Sequence, residues 1–229
     1  KEAGISYVGW RYLQTSQVCA LEHEKSHEAT AYQHFMPSGP LAILPLRGNR
    51  CSIVWTETTM NSSFINKLDD DAYLEILRPR FGDFLGEIKL VGKRFSYPLD
   101  ICIAKKFIVD RVALIGDAAH GMHPIAGQGL NAGLRDIATL SQVIKEAKER
   151  GEDFATASVL YRYQEWRRFD ATALSLALDG FNTLFSNNIQ FLKEARRLGI
   201  GIVNKFPSLK RSLMIEAAGL SGDLPDLMH

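Results

Sequence analysis

The segment that says most about the fold is Val112-Ala-Leu-Ile-Gly-Asp-Ala-Ala-His-Gly-Met-His-Pro-Ile-Ala-Gly-Gln-Gly-Leu-Asn-Ala-Gly-Leu-Arg-Asp136. Its start, with Arg111 before it, is a short apolar run that enters Gly116, as buried parallel strands do in α/β folds. A glycine-rich stretch follows. Apolar residues then recur at helical spacing: Leu130, Leu134, Ile137, Ala138 and Ile144. The segment therefore predicts a strand, a loop and a helix that ends near Gly151.

Asp117 lies where the predicted strand leaves the sheet, and ligands of open α/β sheets bind at such strand ends. A carboxylate there accepts hydrogen bonds from sugar or polyol hydroxyls. Gly127 and Gly129 bring bare backbone close to a bound molecule because glycine has no Cβ. The helix start at Leu130 attracts an anion or a partly negative ring, since its first N–H groups lack helical partners. A purely structural strand–loop–helix is the alternative interpretation.

The first hundred residues predict antiparallel strands joined by turns. The predicted strands are Tyr12–Glu22, Thr30–Phe35, Leu41–Leu46, Cys51–Thr58 and a strand pair within Ile88–Leu99. Turns are predicted at Pro37–Pro40 and Arg47–Arg50. A short helix is predicted over Asp69–Leu77, with Pro79 beyond its end. From Phe154 onward the pattern is helical.

The composition excludes several classes of function. The chain has 27 basic and 26 acidic residues, a net charge of +1, so we expect no nucleic-acid partner. No apolar run approaches the roughly 20 residues of a membrane span, and the first residues lack the pattern of a signal peptide. Cys19, Cys51 and Cys102 are far apart, which favours free thiols over a disulfide or a metal site. We therefore expect a cytoplasmic protein, and a chain that starts inside a longer polypeptide.

The central segment resembles the second FAD motif of the class A flavoprotein monooxygenases. The matching residues are Gly116-Asp117-Ala118-Ala119-His120 followed by Pro124-x-x-Gly127-x-Gly129-Leu130-Asn131. The fuller string from His123 to Gly129, with Asn131, Gly133, Arg135 and Asp136, is similar to the ubiquinone-biosynthesis hydroxylases. Tyr32–Leu46 resembles the strands of that subfamily's substrate domain.

The resemblance implies FAD as cofactor and NAD(P)H as co-substrate. Asp117 would hydrogen-bond the ribityl chain, the N–H groups of Leu130 and Asn131 would face N1 and O2 of the isoalloxazine, and Pro124 would lie by the ring. A helix N-terminus suits this place, because reduced flavin carries negative charge near N1. The implied cofactor-binding residues are Gly116, Asp117, Pro124, Gly127, Gly129, Leu130 and Asn131. The resemblance implies neither a catalytic side chain nor a metal ligand, and the substrate would be a polyprenylated phenol.

The fold class expected from these observations is α/β, in three parts. Residues 1–106 would form the antiparallel substrate-domain sheet with one helix, 107–150 the C-terminal part of a Rossmann-like FAD-binding domain, and 151–229 a helical region. The family's N-terminal βαβ unit, with its GxGxxG motif, is absent from the sequence. We therefore expect this chain alone to bind FAD weakly and to be inactive.

Several alternatives stay open at this point. A flavin-fold remnant could serve as a docking subunit of a biosynthetic complex, and a geranylgeranyl-reductase-like flavoenzyme is a third interpretation. His120 and His123 have metal-ligand spacing but no third ligand nearby, and His23, His27 and His34 are interpreted as solvated.

The basic C-terminal third predicts either solvated helix faces or contact with an anionic membrane surface, as for a peripheral protein on the inner face of the membrane. Its basic residues are Arg162, Arg167, Arg168, Lys193, Arg196, Arg197, Lys205, Lys210 and Arg211. Interspersed apolar residues are Leu192, Leu198, Ile200, Ile202, Val203 and Phe206.

Overall fold

The computed structural model describes residues 3–186, 201, 203, 205–220 and 222–229, and it mixes an antiparallel sheet with helices. The α/β fold class expected from the sequence, with an antiparallel sheet and helices, is thus confirmed. The strands are β1 (Tyr7–His23), β2 (Tyr32–Met36), β3 (Gly39–Pro45), β4 (Arg50–Thr58), β5 (Ile88–Ala104), β6 (Ile108–Val109) and β7 (Val112–Ala113). The helices are α1 (Thr59–Ile65), α2 (Asp70–Phe81), α3 (Asp117–His120), α4 (Gly129–Glu149), α5 (Ala157–Phe185) and α6 (Pro207–Ala217).

The chain divides into two compact units. Unit 1 comprises the described residues of Lys1–Trp10, Asp100–Phe181 and Gln190–His229, and unit 2 those of Arg11–Leu99 and Asn182–Ile189. The predicted division at 106/107 and 150/151 concerns functional domains and stays a prediction.

The sheet has five strands in the order β2-β3-β4-β1-β5. β2 pairs with β3 and β3 with β4, both antiparallel, as the turns between them predicted. β4 also pairs antiparallel with β1, which no turn signal predicted. Alternate residues of β4 point into the core of unit 2, and Ile53 and Trp55 are fully buried. Cys19 on β1 is paired with Ile53 and is buried on the same side. The period of two in the sequence therefore identified the buried face correctly.

Helix α2 covers that core. The Asp69 side chain caps the helix by accepting from the Ala72 N–H at 2.8 Å. Tyr73 and Leu77 are fully buried, and the Tyr73 ring lies 6.0 Å from Trp55. The predicted end before Pro79 is wrong, because the helix continues to Phe81. Burial of Phe81 (3% exposed) outweighs the hydrogen bond that proline removes.

Two further elements of unit 2 differ from the sequence prediction. The predicted strand pair in Ile88–Leu99 is one strand, β5, of 17 residues. Its neighbour β1 is equally long and offers a continuous edge for hydrogen bonding. Helix α1 was not predicted, although Thr58 caps it by accepting from the Asn61 N–H at 3.2 Å.

The predicted buried parallel strand at 111–116 is wrong. Only Val112–Ala113 is extended, and it pairs antiparallel with Ile108–Val109. Val112 is 40% exposed and Ile115 37%. A parallel strand needs neighbours that supply its hydrogen bonds, and within the described residues only β6 pairs with this segment.

Of the apolar residues that recur at helical spacing in α4, Ala138 is buried, but the large ones at its N-terminal end are not. Leu130 is 73% exposed, and Leu134 and Ile137 are each 51% exposed. The helix instead buries small and polar side chains at helical spacing against unit 1. These residues are Ala132, Asp136, Ala138, Thr139, Val143 and Ala147. Small residues allow α4 to pack closely, and the buried carboxylate among them requires partners.

His23 and Arg167 were also misassigned as solvated residues. His23 is 4% exposed, and its Nδ1 lies 2.7 Å from the Lys25 carbonyl. Arg167 is 2% exposed and forms a buried ion pair with Asp136. His34 is exposed. All three cysteines are free, and Cys19 and Cys51 are buried.

We expect Leu77→Ala to lower the free energy of unfolding by about 2–5 kcal/mol, because it leaves a cavity between α2 and the sheet. Chemical denaturation of the chain measures this loss. The matched control is Glu75→Ala on the exposed face of the same helix, which should change stability by about 0.5 kcal/mol or less. Equal losses for the two variants would contradict the assigned packing.

Candidate functional site

The turn around Asp117 is held in one conformation by backbone hydrogen bonds. The Gly116 carbonyl accepts from the N–H of Ala119 at 2.8 Å and from that of His120 at 2.9 Å. Gly116 has φ 55° and ψ −140°, a conformation that favours glycine. Ala119 and His120 are fully buried beneath the turn, whereas Asp117 is exposed. The turn therefore presents the Asp117 carboxylate to the surroundings.

Between this turn and α4, the loop 121–128 is folded by its own hydrogen bonds. His123 is buried, and its Nδ1 accepts from the Ile125 N–H at 3.1 Å, which caps the 3₁₀ turn Pro124–Ala126. Gly127 ends that turn in the left-handed region (φ 63°), and its N–H donates to the Pro124 carbonyl at 3.0 Å. A Cβ added to Gly127 would meet nothing within 4 Å, so open space lies beside it.

Helix α4 begins at Gly129, with Gln128 as its N-cap. The Ala132 N–H donates to the Gln128 carbonyl at 2.9 Å. The N–H groups of Gly129, Leu130 and Asn131 therefore belong to the first turn, where no helical acceptor exists. Leu130 is exposed and Asn131 is half-buried, so this end of the helix is accessible.

The structure brings the Asp117 turn and the start of α4 together. Gly116 faces Gly133 across a close contact, because a Cβ on Gly133 would lie 3.4 Å from the Gly116 Cα. A Cβ on Gly129 would lie 3.8 Å from Asp117 Oδ1. The predicted residues Gly116, Asp117, Gly129, Leu130 and Asn131 thus lie at one place in unit 1. Pro124 and Gly127 are on the exposed part of the loop that joins the turn to the helix.

A buried charged network lies behind this site. Asp136 on α4 and Arg167 on α5 form an ion pair, Asp136 Oδ1 to Arg167 Nε, of 2.8 Å. The His120 Nε2 lies 2.6 Å from Asp136 Oδ2. None of these three residues was predicted to belong to a buried charged network. The sequence pattern does contain a clue to this network. Asp136 lies at helical spacing from Ala132, Thr139 and Val143, on the face that α4 buries, and a buried carboxylate requires hydrogen-bond or charged partners.

Comparison with known proteins assigns the family. A family profile described as FAD binding domain matches residues 5–175. The chain belongs to this FAD binding domain family. The ubiquinone hydroxylase UbiL of Rhodospirillum rubrum is 44% identical, over 100% of this chain and 54% of its own length. The 3-demethoxyubiquinol 3-hydroxylase of Escherichia coli is 33% identical, over 95% of this chain and 56% of its own length.

Solved structures named as monooxygenases and hydroxylases share the fold of this chain. The p-nitrophenol 4-monooxygenase PnpA of Pseudomonas putida aligns with a TM-score of 0.74 at 18% identity, over 96% of this chain and 55% of that protein. The chain spans about half the length of the curated relatives it matches. The resemblance found in the sequence, to ubiquinone-biosynthesis hydroxylases, is confirmed.

The residues present fit FAD. The Asp117 carboxylate is exposed and accepts no hydrogen bond from any other described residue, so it is available to ligand hydroxyls. Open space lies beside the exposed backbone of Gly127. The positive end of the 21-residue helix α4 lies next to Asp117. An acceptor for a polyol and a positive helix end for a flavin ring are therefore adjacent.

The described residues contain no group of three His, Cys, Asp or Glu side chains that could hold a metal ion. His120 and His123 are both buried and form hydrogen bonds within the protein. His120 bonds to Asp136, and His123 accepts from the Ile125 N–H and so caps the Pro124–Ala126 turn. Within the described part of the chain, no helix has the length and apolar content needed to cross a bilayer.

His123 provides a pH-dependent prediction. Burial lowers the pKa of His123 to about 4, and the charge of Asp179 only partly opposes this effect. An unfolded chain protonates histidine near pH 6.5, so between these two values the unfolded state binds more protons. Stability should therefore fall by up to about 3 kcal/mol as pH drops from 6.5 to 4.

The control is His123→Asn, whose side-chain oxygen retains an acceptor for the Ile125 N–H. Urea denaturation across pH 4–7 should show a smaller loss for this variant than for the wild type. Parallel pH profiles for the two proteins would show that His123 is not the titrating group.

Proposed function

We propose that this chain is the part of an FAD-dependent aromatic hydroxylase that holds the ribityl chain and isoalloxazine ring of FAD. The observation that carries the proposal is the Asp117 carboxylate beside Gly129 at the N-terminus of α4. The full site comprises Gly116, Asp117, Pro124, Gly127, Gly129, Leu130 and Asn131. Membership of the FAD binding domain family supports the choice of cofactor.

Each part of the site has a separate task. Asp117 accepts hydrogen bonds from ribityl hydroxyls. The N–H groups of Leu130 and Asn131 lie at the positive end of α4 and stabilise negative charge on the pyrimidine edge of the ring. Pro124 and Gly127 form the loop surface beside the ring, where the substrate approaches. These residues bind and orient, and none of them has to transfer a proton.

Bound flavin, reduced by NAD(P)H, supplies the oxygen chemistry, in which one atom of O2 is transferred to an electron-rich ring. The protein's contribution is orientation and exclusion of water. We propose a polyprenylated phenol as substrate, because the curated relatives are named ubiquinone hydroxylase and 3-demethoxyubiquinol 3-hydroxylase.

We infer that activity requires a longer polypeptide, called here the extended protein. This inference is supported by relatives of about twice the length and by the apolar surface of Leu130, Leu134 and Ile137. The GxGxxG unit that binds the ADP half of a dinucleotide is absent from the 229 residues. A non-catalytic docking subunit is the competing function, and failure of the extended protein to bind FAD would favour it.

Asp117→Ala should weaken FAD binding by the extended protein roughly 5- to 150-fold, because loss of hydrogen bonds to the ribityl chain costs about 1–3 kcal/mol. Fluorescence titration of the apoprotein with FAD measures this affinity. Asp117→Asn retains one acceptor oxygen and should lose less. Glu149→Ala, an exposed acidic residue at the far end of α4, is the control and should bind FAD as the wild type does. Unchanged affinity in Asp117→Ala would remove this residue from the site.

We also propose peripheral contact with an anionic membrane surface through Lys205–Ile215. The helix α6 is exposed along its described residues. Phe206, just before the helix, is 56% exposed, and Met214 within it is 62% exposed. Lys205, Lys210 and Arg211 are exposed nearby. Such a surface gains from apolar insertion and from about 1 kcal/mol per basic residue. The predicted membrane residues Leu192, Lys193, Arg196, Arg197, Leu198, Ile200 and Ile202 lie outside the described residues.

Liposome flotation tests this contact. The extended protein should float with anionic vesicles at low salt and be released as salt rises. The double variant Lys205→Glu/Lys210→Glu should float several-fold less. Lys145→Glu/Lys148→Glu on α4 changes the net charge equally and should float as the wild type does. Equal loss in both double variants would show that net charge alone matters, and no flotation by the wild type would refute the contact.

A further inference from the structure

The turn that carries Asp117 is fixed from behind by one carboxylate. Asp136 Oδ2 accepts from the Gly116 N–H at 2.8 Å and from His120 Nε2 at 2.6 Å. Gly116 precedes Asp117 and His120 ends the same one-turn helix. A single oxygen of Asp136 therefore connects both ends of the turn, and Asp117 lies between the two connected residues.

The second oxygen of Asp136 anchors the carboxylate itself. Oδ1 accepts from Arg167 Nε at 2.8 Å, and Arg167 also pairs with Asp170 on α5. Asp170 in turn pairs with Arg135 at 2.8 Å, and Arg135 donates to the Gly219 carbonyl at 2.7 Å. The Asp136 carboxylate is thus fixed by residues of both α4 and α5. A movement of α5 relative to α4 would shift this carboxylate and, through its hydrogen bonds, the Asp117 turn.

Loss of any one of the side chains of Asp136, His120 and Arg167 would leave a buried polar or charged group without its partner. Asp136 and His120 are fully buried, and Arg167 is 2% exposed. A buried carboxylate without partners strongly destabilises the folded protein. Burial raises the pKa of Asp136, but the hydrogen bond and charge of His120, with Arg167 and the Gly116 N–H, outweigh it and hold the pKa below its ordinary value. Asp136 is therefore ionised at neutral pH and accepts at both oxygens.

We propose that Asp136 is a positioning residue: through His120 and the Gly116 N–H it holds the turn in the conformation that presents Asp117 to FAD. The statement about FAD rests on the proposed function, whereas the statement about the turn does not. Asp136 itself touches no ligand, because it is fully buried behind the turn. Its effect on the cofactor passes through the backbone of Gly116.

Amide hydrogen exchange of the 229-residue chain tests the statement about the turn. In Asp136→Asn, the hydrogen-bonded amides of Gly116, Ala119 and His120 should exchange at least about tenfold faster relative to the core amides of α4. Val159→Ala removes buried volume from the core of unit 1 and is the control for general loss of stability. In that variant both sets of amides should accelerate by the same factor. A uniform acceleration in Asp136→Asn as well would reduce Asp136 to a merely stabilising residue and overturn the proposal.

A pair of substitutions at His120 gives a rescue test. His120→Gln places an amide N–H donor near the position of Nε2, whereas His120→Phe keeps the ring volume and removes the donor. The turn amides should stay within about threefold of wild type in the Gln variant and accelerate as in Asp136→Asn in the Phe variant. Equal exchange in the two His120 variants would show that the hydrogen bond to Asp136 does not hold the turn.

FAD titration of the extended protein tests the consequence for the cofactor. Asp136→Asn should weaken FAD binding about tenfold, and Val159→Ala, measured well below its melting temperature, should not. Wild-type affinity in Asp136→Asn would overturn the link to the cofactor even if the turn is loosened. If the wild-type extended protein binds no FAD, the proposed function fails, and the exchange data still decide whether Asp136 holds the turn.

Discussion

The close contact between the backbones of Gly116 and Gly133 is the constraint on which the candidate site depends. Gly116 has a positive φ, which favours glycine, and a Cβ on Gly133 would be in van der Waals contact with the Gly116 Cα at 3.4 Å. This contact lets the turn lie against α4 and brings Asp117 next to Gly129. The site is therefore a product of packing between backbone segments. Its one exposed charged group, Asp117, is presented by a turn whose last two residues, Ala119 and His120, are fully buried.

Elements with strong local signals were predictable from the sequence. The Pro37–Pro40 and Arg47–Arg50 turns determine the strands on either side, and alternation in β4 identified its buried face. The glycines, Pro124 and Asp117 indicated a ligand site because their conformational requirements are local. The structure places Gly116, Asp117 and the start of α4 together, as that interpretation requires.

Features that depend on distant partners were not predictable. The helix α2 passes through Pro79 because Phe81 is buried in a core assembled from several strands. The apolar residues of α4 indicated a buried face, yet Leu130 is 73% exposed and the buried face contains Asp136. A helical period cannot show which face of α4 is buried, because the buried charge of Asp136 is stabilised by Arg167 and His120. These partners lie 31 and 16 residues away in the sequence. The run at 111–116 is similar: its β-branched residues favour a strand, but only β6 pairs with it among the described residues.

The central claim is that Asp117 binds the ribityl chain at the N-terminus of α4, and a crystal structure of the extended protein with FAD tests it most directly. The account predicts that a carboxylate oxygen of Asp117 lies within about 3.2 Å of a ribityl hydroxyl. It also predicts that the first-turn N–H groups of α4 point at the pyrimidine edge of the flavin. FAD bound with its ribityl chain away from Asp117, and with another element at the pyrimidine edge, would contradict the account.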